Sequence, residues 1–141
     1  MSRIWKNITV LVADDHGEIR EVVCEYLNSF PGVRVIGQAR NGFEVIAEVE
    51  RLKPDLVLID VGLPELGGVE ATRIIKRRFA STKVFLSTLF DEPLYEQEAH
   101  RVSADGLISK SHLKRGLTSL MRTMQHQSSQ YRVKGPSRGS H

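Results

Sequence analysis

Asp55-Leu-Val-Leu-Ile-Asp60 decides the fold, because the four residues between its two aspartates are all apolar. A strand that faces water on one side alternates apolar and polar side chains, whereas a strand covered on both faces carries an unbroken apolar run. Pro54 stands directly before the stretch and ends the helical pattern that precedes it. The stretch therefore predicts a strand of a parallel sheet that is buried on both faces.

Strand-like and helix-like segments alternate on either side of this stretch. Four further apolar runs have the length of strands, at residues 8–13, 33–38, 83–88 and 106–109. After the first of them, apolar residues recur at helical spacing, at Ile19, Val22, Val23, Tyr26, Leu27 and Phe30. Five strand–helix units in succession predict an α/β fold, a flavodoxin-like (βα)5 doubly wound parallel sheet of strand order 2-1-3-4-5.

The periodic pattern ends near Gln125, where the composition turns to Gln, Ser, Gly, Pro and Arg. We therefore predict an N-terminal extension at residues 1–6, one domain at residues 7–125 and a disordered linker or tail at residues 126–141. The final Arg138-Gly-Ser-His141 is similar to the start of an affinity tag and carries no functional weight.

Charge is distributed unevenly along the chain. Residues 1–105 hold 13 Lys/Arg and 17 Asp/Glu, a net charge of −4, whereas residues 106–141 hold 7 Lys/Arg and no acid, a net charge of +7. A basic end is compatible with nucleic-acid contact, but no aromatic or groove-reading motif accompanies the charge. A solvated helix face followed by a disordered end is the favoured interpretation.

Composition places the chain among globular proteins of the cytoplasm. An apolar fraction of 40% and a charged fraction of 26% are ordinary for a globular domain. No apolar run is long enough to span a bilayer, and the first residues lack the apolar core of a signal peptide. The single cysteine excludes an internal disulfide. We expect a cytoplasmic protein without a membrane partner.

Polar residues stand at the carboxyl ends of the predicted strands: Asp14 and Asp15 after the first, Asp60 after the third, Thr88 after the fourth and Lys110 after the fifth. In this strand order, ligands bind beyond the ends of strands one and three, where the order switches. The three aspartates should meet there. Because like charges repel, a cation must balance them, and hard oxygen donors without a His or Cys cluster favour Mg²⁺.

An acidic pocket with a metal, a lysine and a hydroxyl is equipped for phosphoryl transfer, which depends on positioning and on neutralising oxygen charge. A carboxylate can itself be the nucleophile and form an aspartyl-phosphate. Each residue also has a structural alternative. Asp14 and Asp15 could cap the next helix, Asp60 could belong to an ordinary turn, Lys110 could be solvated and Thr88 could serve strand formation. The coincidence of all five at strand ends favours the phosphoryl-transfer interpretation.

Four motifs together resemble the receiver domain of two-component response regulators: Asp14-Asp15-His16, Asp60-Val-Gly-Leu-Pro-Glu-Leu-Gly-Gly68, Ser87-Thr88 and Ala104-Asp-Gly-Leu-Ile-Ser-Lys110. Their order and spacing match over about residues 7–125. The Asp-Asp-His, Leu-Pro and Ala-Asp-Gly elements are similar to receivers of the NarL/FixJ (LuxR-type) transcription regulators.

The resemblance implies a role for each site residue. Asp60 would be the phosphoacceptor. Asp15 and Asp60 would bind Mg²⁺ through their carboxylates and Gly62 through its backbone carbonyl, with Asp14 acting through a metal-bound water. Lys110 would bind a phosphoryl oxygen, and Thr88 would move toward the phosphoryl group. The donor would be a sensor histidine kinase or a histidine phosphotransfer protein, and the surface of the fourth helix, fifth strand and fifth helix would change.

Two of the departures from the family pattern bear on whether the chain is phosphorylated. Leu107 stands where family members usually carry an aromatic residue, so an aromatic rotamer switch is absent. Gly67 replaces the usual Asp or Asn before Gly68 and should loosen that loop. Both keep open a pseudo-receiver, a binding module that is not phosphorylated. A metabolic enzyme on this fold lacks support, because no glycine-rich phosphate loop follows the first strand.

The expected function is regulatory, with no enzyme activity beyond the domain's own phosphorylation and dephosphorylation. LuxR-type regulators carry a helix-turn-helix domain after the receiver, and no such segment fits here. DNA binding is therefore expected only through a missing C-terminal domain, with the chain either excised from a longer regulator or a stand-alone receiver. The first or last helix could also serve a homodimer.

Overall fold

The chain alternates five strands with five helices. The strands are β1 (Ile8–Ala13), β2 (Val33–Ala39), β3 (Leu56–Asp60), β4 (Lys83–Thr88) and β5 (Gly106–Ser109), and the helices are α1 (Gly17–Asn28), α2 (Gly42–Leu52), α3 (Gly68–Arg78), α4 (Pro93–Arg101) and α5 (Leu113–Arg138). This computed structural model describes residues 6–89 and 93–138, with side chains described as far as His126. All strands are parallel, in the order β2-β1-β3-β4-β5, so the predicted fold class and strand order are confirmed.

β3 occupies the centre of the sheet, and all five of its residues are buried. It pairs with β1 on one side and with β4 on the other, where Asp60 stands opposite Ser87. Helices cover both of its faces, which explains why its sequence carries no polar residue before Asp60.

Alternate residues of β3 face two separate hydrophobic cores. Leu56 and Leu58 belong to a core against α1 and α5, whereas Val57 and Ile59 belong to a core against α2, α3 and α4. The helices contribute Leu27, Leu117 and Met121 to the first core and Val45, Val49, Ile75 and Ala99 to the second. The end of β3 is thus held from both sides of the sheet.

Two glycines bring the start of a helix close to the edge of the sheet. A Cβ at Gly68, the first residue of α3, would collide with the carbonyl oxygen of Asp60. The Gly68 N–H donates to the Val61 carbonyl at 3.1 Å. Gly42, the first residue of α2, makes an equally close approach to the backbone of Leu66. These contacts hold the loop between β3 and α3 against the carboxyl end of β3.

α5 continues to Arg138, further than the helical pattern that ends near Gln125. Residues 126–134 contain no glycine or proline, and Gln, Arg and Lys are good helix formers, which accounts for the continuation as far as Lys134 but not through Gly135 and Pro136. The assignment of residues 126–141 to a linker or tail stays a prediction, and residues 139–141 lie outside the described part of the chain. Residues 1–5 of the predicted N-terminal extension also lie outside it.

Within residues 6–89 and 93–138, none of the helices has both the length and the apolar character required to cross a membrane.

Candidate functional site

The five polar residues singled out in the sequence lie at the carboxyl edge of the sheet. Asp60 is the last residue of β3 and Thr88 the last of β4, whereas Asp14 and Asp15 directly follow β1. Lys110 is the first residue of the 3₁₀ turn Lys110–His112 that follows β5. Because all strands run in the same direction, their carboxyl ends share one edge.

Lys110 joins two of the aspartates in a buried ion-pair cluster. Its Nζ lies 2.8 Å from Oδ2 of Asp14 and 3.1 Å from Oδ1 of Asp60. The Lys110 side chain is 5% exposed, and the carboxyl groups of Asp14 and Asp60 are 6% and 8% exposed. The alternative of a solvated Lys110 is therefore excluded by its position.

Ionisation of this cluster depends on its hydrogen bonds. Burial alone raises the pKa of the Asp14 carboxyl, but hydrogen bonds from Lys110 and from the His16 backbone N–H outweigh burial and hold that pKa below its ordinary value. Burial alone lowers the pKa of Lys110, but the hydrogen bond to Asp14 and the charge of Asp60 raise it above its ordinary value. Lys110 and Asp14 are therefore both charged at neutral pH.

His16 and Asp15 form the solvent-facing rim of the site. Nδ1 of His16 lies 3.1 Å from Oδ1 of Asp14 and 3.3 Å from Oδ1 of Asp15. The imidazole is 60% exposed and the Asp15 side chain 36% exposed. Arg20 donates to the Asp14 carbonyl at 2.6 Å and to Gln38 at 2.7 Å, which ties α1 and β2 to the end of β1.

One ligand atom from each of Asp14, Asp15, His16 and Asp60 lies within 4.8 Å of the others. Three carboxylates carry three negative charges, and Lys110 offsets only one of them. A divalent cation fits this donor set, since carboxylate oxygens are the ligands that Mg²⁺ and similar ions prefer and the remaining charge would be neutralised. Lys110 forms ion pairs with Asp14 and Asp60. Among the ion pairs of the described residues, Asp15 at the exposed rim is paired with His16 and with no lysine.

Helix capping does not account for the two aspartates that follow β1. The residue that caps α1 is His16, and its side chain makes no capping hydrogen bond. Instead, the Asp14 carboxylate accepts the His16 backbone N–H at 2.9 Å, and its second oxygen accepts from Lys110. Asp14 therefore connects the end of β1 to the lysine after β5.

Three other predicted positions lie around this cluster. Thr88 is buried at the end of β4, beside Ser109 of β5. Gly62 lies in the turn after Asp60, where an added Cβ would be 3.8 Å from Oδ2 of Asp60. Leu107 pairs with β4 and packs, half-buried, against the core shared by α2, α3 and α4.

His16 and Arg20 were not assigned roles from the sequence. The signal for His16 was its place next to Asp14-Asp15 at the end of a strand. Arg20 gave no signal beyond its spacing of four residues from His16, because its partners, a backbone carbonyl and Gln38, become neighbours only in the folded chain.

The chain is similar to proteins of one family. The sequence profile of the response regulator receiver domain matches residues 10–122. The response regulator GacA of Pseudomonas viridiflava is 38% identical over 103 residues, which are 73% of this chain and 48% of that protein. The protein-glutamate methylesterase/protein-glutamine glutaminase of Pyrococcus horikoshii is 37% identical over 92 residues, 65% of this chain and 25% of that protein.

A crystal structure of a LuxR family two-component response regulator from Aurantimonas sp. SI85-9A1 has a TM-score of 0.81 at 25% identity, and the match covers 86% of each chain.

This chain belongs to the response regulator receiver domain family, as the match over residues 10–122 shows. Receiver domains are generally regulatory. The chain spans about half the length of GacA and a quarter of the methylesterase, whose name shows that a related domain also occurs in an enzyme.

Replacing Lys110 by methionine tests the buried ion-pair cluster. Lys110→Met should lower the free energy of unfolding by about 3–5 kcal/mol, because two buried carboxylates lose their cation. In the Lys110→Met background, Asp14→Asn should then raise the stability, because it removes one of two unbalanced like charges. Urea unfolding in the presence of a chelator measures each step.

Lys83→Met is the matched control for this cycle. Lys83 is 55% exposed and lies 3.9 Å from Asp105, so its loss should change the stability by no more than about 0.5 kcal/mol. A loss of stability on adding Asp14→Asn to Lys110→Met would contradict the proposed charge balance.

Proposed function

We propose that this chain is a phosphorylation switch in which Asp60 accepts a phosphoryl group from a sensor histidine kinase or a histidine phosphotransfer protein. One observation carries the proposal. The Asp60 carboxylate is buried at the end of the central strand, 3.1 Å from the Lys110 ammonium and within 4.8 Å of ligand atoms of Asp14 and Asp15. A nucleophile, a cation and a set of metal ligands thus surround one point.

The transfer forms one bond and breaks another. A carboxylate oxygen of Asp60 bonds to phosphorus while the bond between phosphorus and the donor imidazole nitrogen breaks. The electron pair of the broken bond stays on the imidazole, which takes up a proton. Lys110 binds a phosphoryl oxygen and offsets its charge, which is the main contribution a protein makes to this reaction.

Asp15, Asp60 and the backbone carbonyl of Gly62 would hold Mg²⁺ in this proposal. The bound ion supplies positive charge that neutralises phosphoryl oxygens during the transfer. Asp14 would act through a metal-bound water. Its two carboxylate oxygens already accept hydrogen bonds, one from the His16 N–H and one from Lys110, which suits an outer position.

Thr88 and Leu107 define how the phosphorylated state would be transmitted. Thr88 is the last residue of β4, and movement of its hydroxyl toward the phosphoryl group would shift the end of that strand. Leu107 packs in the core that also contains Leu86 and Ala99, and it cannot rotate as an aromatic ring would. The switch would therefore operate by backbone shifts of the α4–β5–α5 surface.

The output of this switch would be regulation rather than catalysis, in the cytoplasm. The receiver would control transcription through a DNA-binding domain of a longer regulator, consistent with the similarity to GacA, a response regulator about twice the length of the matched segment. A stand-alone receiver would act through the same surface on another protein. A pseudo-receiver has less support, because Lys110 and the three aspartates are all in place.

Asp60 should be the residue that reacts with a small phosphodonor. Native protein incubated with Mg²⁺ and acetyl phosphate should gain one phosphoryl group by intact mass, and beryllofluoride should shift the NMR signals of Thr88 and Lys110. Both effects should disappear in Asp60→Asn or with a chelator, because nucleophile or metal is lost.

Asp55→Asn is the matched control, since Asp55 precedes the same strand at its opposite end and is exposed. This variant should still be phosphorylated. No reaction of the native protein under any of these conditions would favour the pseudo-receiver instead, and an equal reaction of Asp60→Asn would move the site elsewhere.

Asp15 should be a direct metal ligand. Asp15→Asn should weaken Mg²⁺ binding by at least about tenfold, because a carboxylate ligand is replaced by a neutral amide. Isothermal titration calorimetry measures the affinity. Glu18→Gln, an exposed carboxylate three residues further on, serves as the control and should bind Mg²⁺ like the native chain. Equal affinities in all three proteins would contradict the ligand assignment.

α1 and α5 present oppositely charged faces that suit association of two copies of the chain. The exposed acidic residues of α1 are Glu18, Glu21 and Glu25. Among the α5 side chains that the structure describes, the exposed cations are Lys114, Arg115 and Arg122, and they line a groove of about 410 Å³ beside Tyr26. We propose a homodimer in which α1 of one copy meets α5 of the other. Such a dimer forms two equivalent contacts between an acidic α1 face and a basic α5 face.

Charge reversal tests this dimer. Glu21→Lys/Glu25→Lys and Arg115→Glu/Arg122→Glu should each abolish association, because like faces then meet, whereas a chain carrying all four changes should associate again. Sedimentation velocity with beryllofluoride, at low and high salt, measures the dimer, and salt should weaken it. Association that survives either double variant would exclude these faces.

A further inference from the structure

His16 lies where a metal ligand would lie, although the magnesium site proposed above does not use it. Its Nδ1 is 3.1 Å from Oδ1 of Asp14 and 3.3 Å from Oδ1 of Asp15. One ligand atom from each of Asp14, Asp15, His16 and Asp60 lies within 4.8 Å of the others.

The spacing of these atoms is that of ligands around one ion. With metal–ligand bonds of about 2.1 Å, neighbouring ligands of an octahedral ion are about 3.0 Å apart and opposite ligands about 4.2 Å apart. The 3.3 Å between the His16 nitrogen and Oδ1 of Asp15 is close to the separation of neighbouring ligands, and an Asp60 oxygen within 4.8 Å would take an opposite position after a small adjustment, with Asp14 in its outer place. A nitrogen donor is therefore placed in the same coordination sphere as the carboxylates.

The His16 side chain is also free to complete such a sphere. The residue precedes α1 in an extended conformation, with φ −91° and ψ 100°, and its ring is 60% exposed. Two groups of His16 contact Oδ1 of Asp14: the backbone N–H, which donates at 2.9 Å, and Nδ1 of the ring, at 3.1 Å. The imidazole can turn toward an ion without breaking that backbone hydrogen bond.

A nitrogen ligand changes which ion the site prefers. Mg²⁺ takes oxygen ligands almost exclusively, whereas imidazole suits first-row transition ions, whose affinity for mixed nitrogen and oxygen sites is higher. We propose that His16 is a metal ligand and that this chain prefers a divalent transition ion, with Mn²⁺ as the probe, over Mg²⁺. The proposal rests on the proposed function, because it assumes that the aspartate cluster is a divalent cation site.

Electron spin-echo spectroscopy of bound Mn²⁺ tests the ligand directly. The native protein should show the modulation of a directly bonded ¹⁴N nucleus, and labelling histidine with ¹⁵N should replace it. His16→Asn should abolish the ¹⁴N modulation and lower the ratio of Mn²⁺ to Mg²⁺ affinity by about tenfold. His112→Asn, an exposed histidine in the turn before α5, should keep both the modulation and the ratio.

The possible failures are distinguishable. Mn²⁺ that binds in an Asp15-dependent manner without a bonded ¹⁴N, or with an unchanged affinity ratio in His16→Asn, overturns the role of His16 and leaves the proposed function standing. If neither Mn²⁺ nor Mg²⁺ binds, and Asp15→Asn changes nothing, the cation site itself fails and the proposed function fails with it.

Discussion

The buried contact of Lys110 with Asp14 and Asp60 constrains the rest of the structure, because it joins three strands that are far apart in the chain. β5 lies two strands from β3 and three from β1, about 10 and 14 Å at the usual strand spacing. The lysine side chain, its contacts of 2.8 and 3.1 Å and the two aspartate side chains bridge this span together, starting from the 3₁₀ turn Lys110–His112 that follows β5.

The fold was predictable from the sequence because a strand that is buried on both faces carries an unbroken run of apolar residues. The apolar residues of β3 divide between two cores in strict alternation, and the parallel order follows from the strand–helix repeats. The residues at the strand ends were predictable for the same reason, since parallel strands share their carboxyl edge. The contacts between particular site residues were not predictable, because they depend on the local path of the backbone. Lys110 could have been solvated, and the place of His16 next to Asp14-Asp15 did not fix the distance of its ring from the two carboxylates.

The two hydrophobic cores connect the sheet to different helices. Leu86 and Leu107, from β4 and β5, lie in the same core as Ala99 of α4, whereas α5 packs mainly against the other face. A shift at the end of β4 would therefore reach α4 through close-packed side chains, which transmit displacement rather than absorb it. With a leucine in place of an aromatic ring at position 107, this packing is the route that the proposed switch would have to use.

Charge balance explains why such a site would respond to phosphorylation at all. Three carboxylates and one lysine leave two negative charges, and a divalent ion would cancel them. Converting the Asp60 carboxylate into an acyl phosphate adds further negative charge at a place that is already buried, where charge is expensive. In the proposed switch, Lys110 would bind a phosphoryl oxygen and the Thr88 hydroxyl at the end of β4 would move toward the phosphoryl group. Because α4 is the next element after β4 in the chain, this movement would couple the buried charge to the α4–β5–α5 surface.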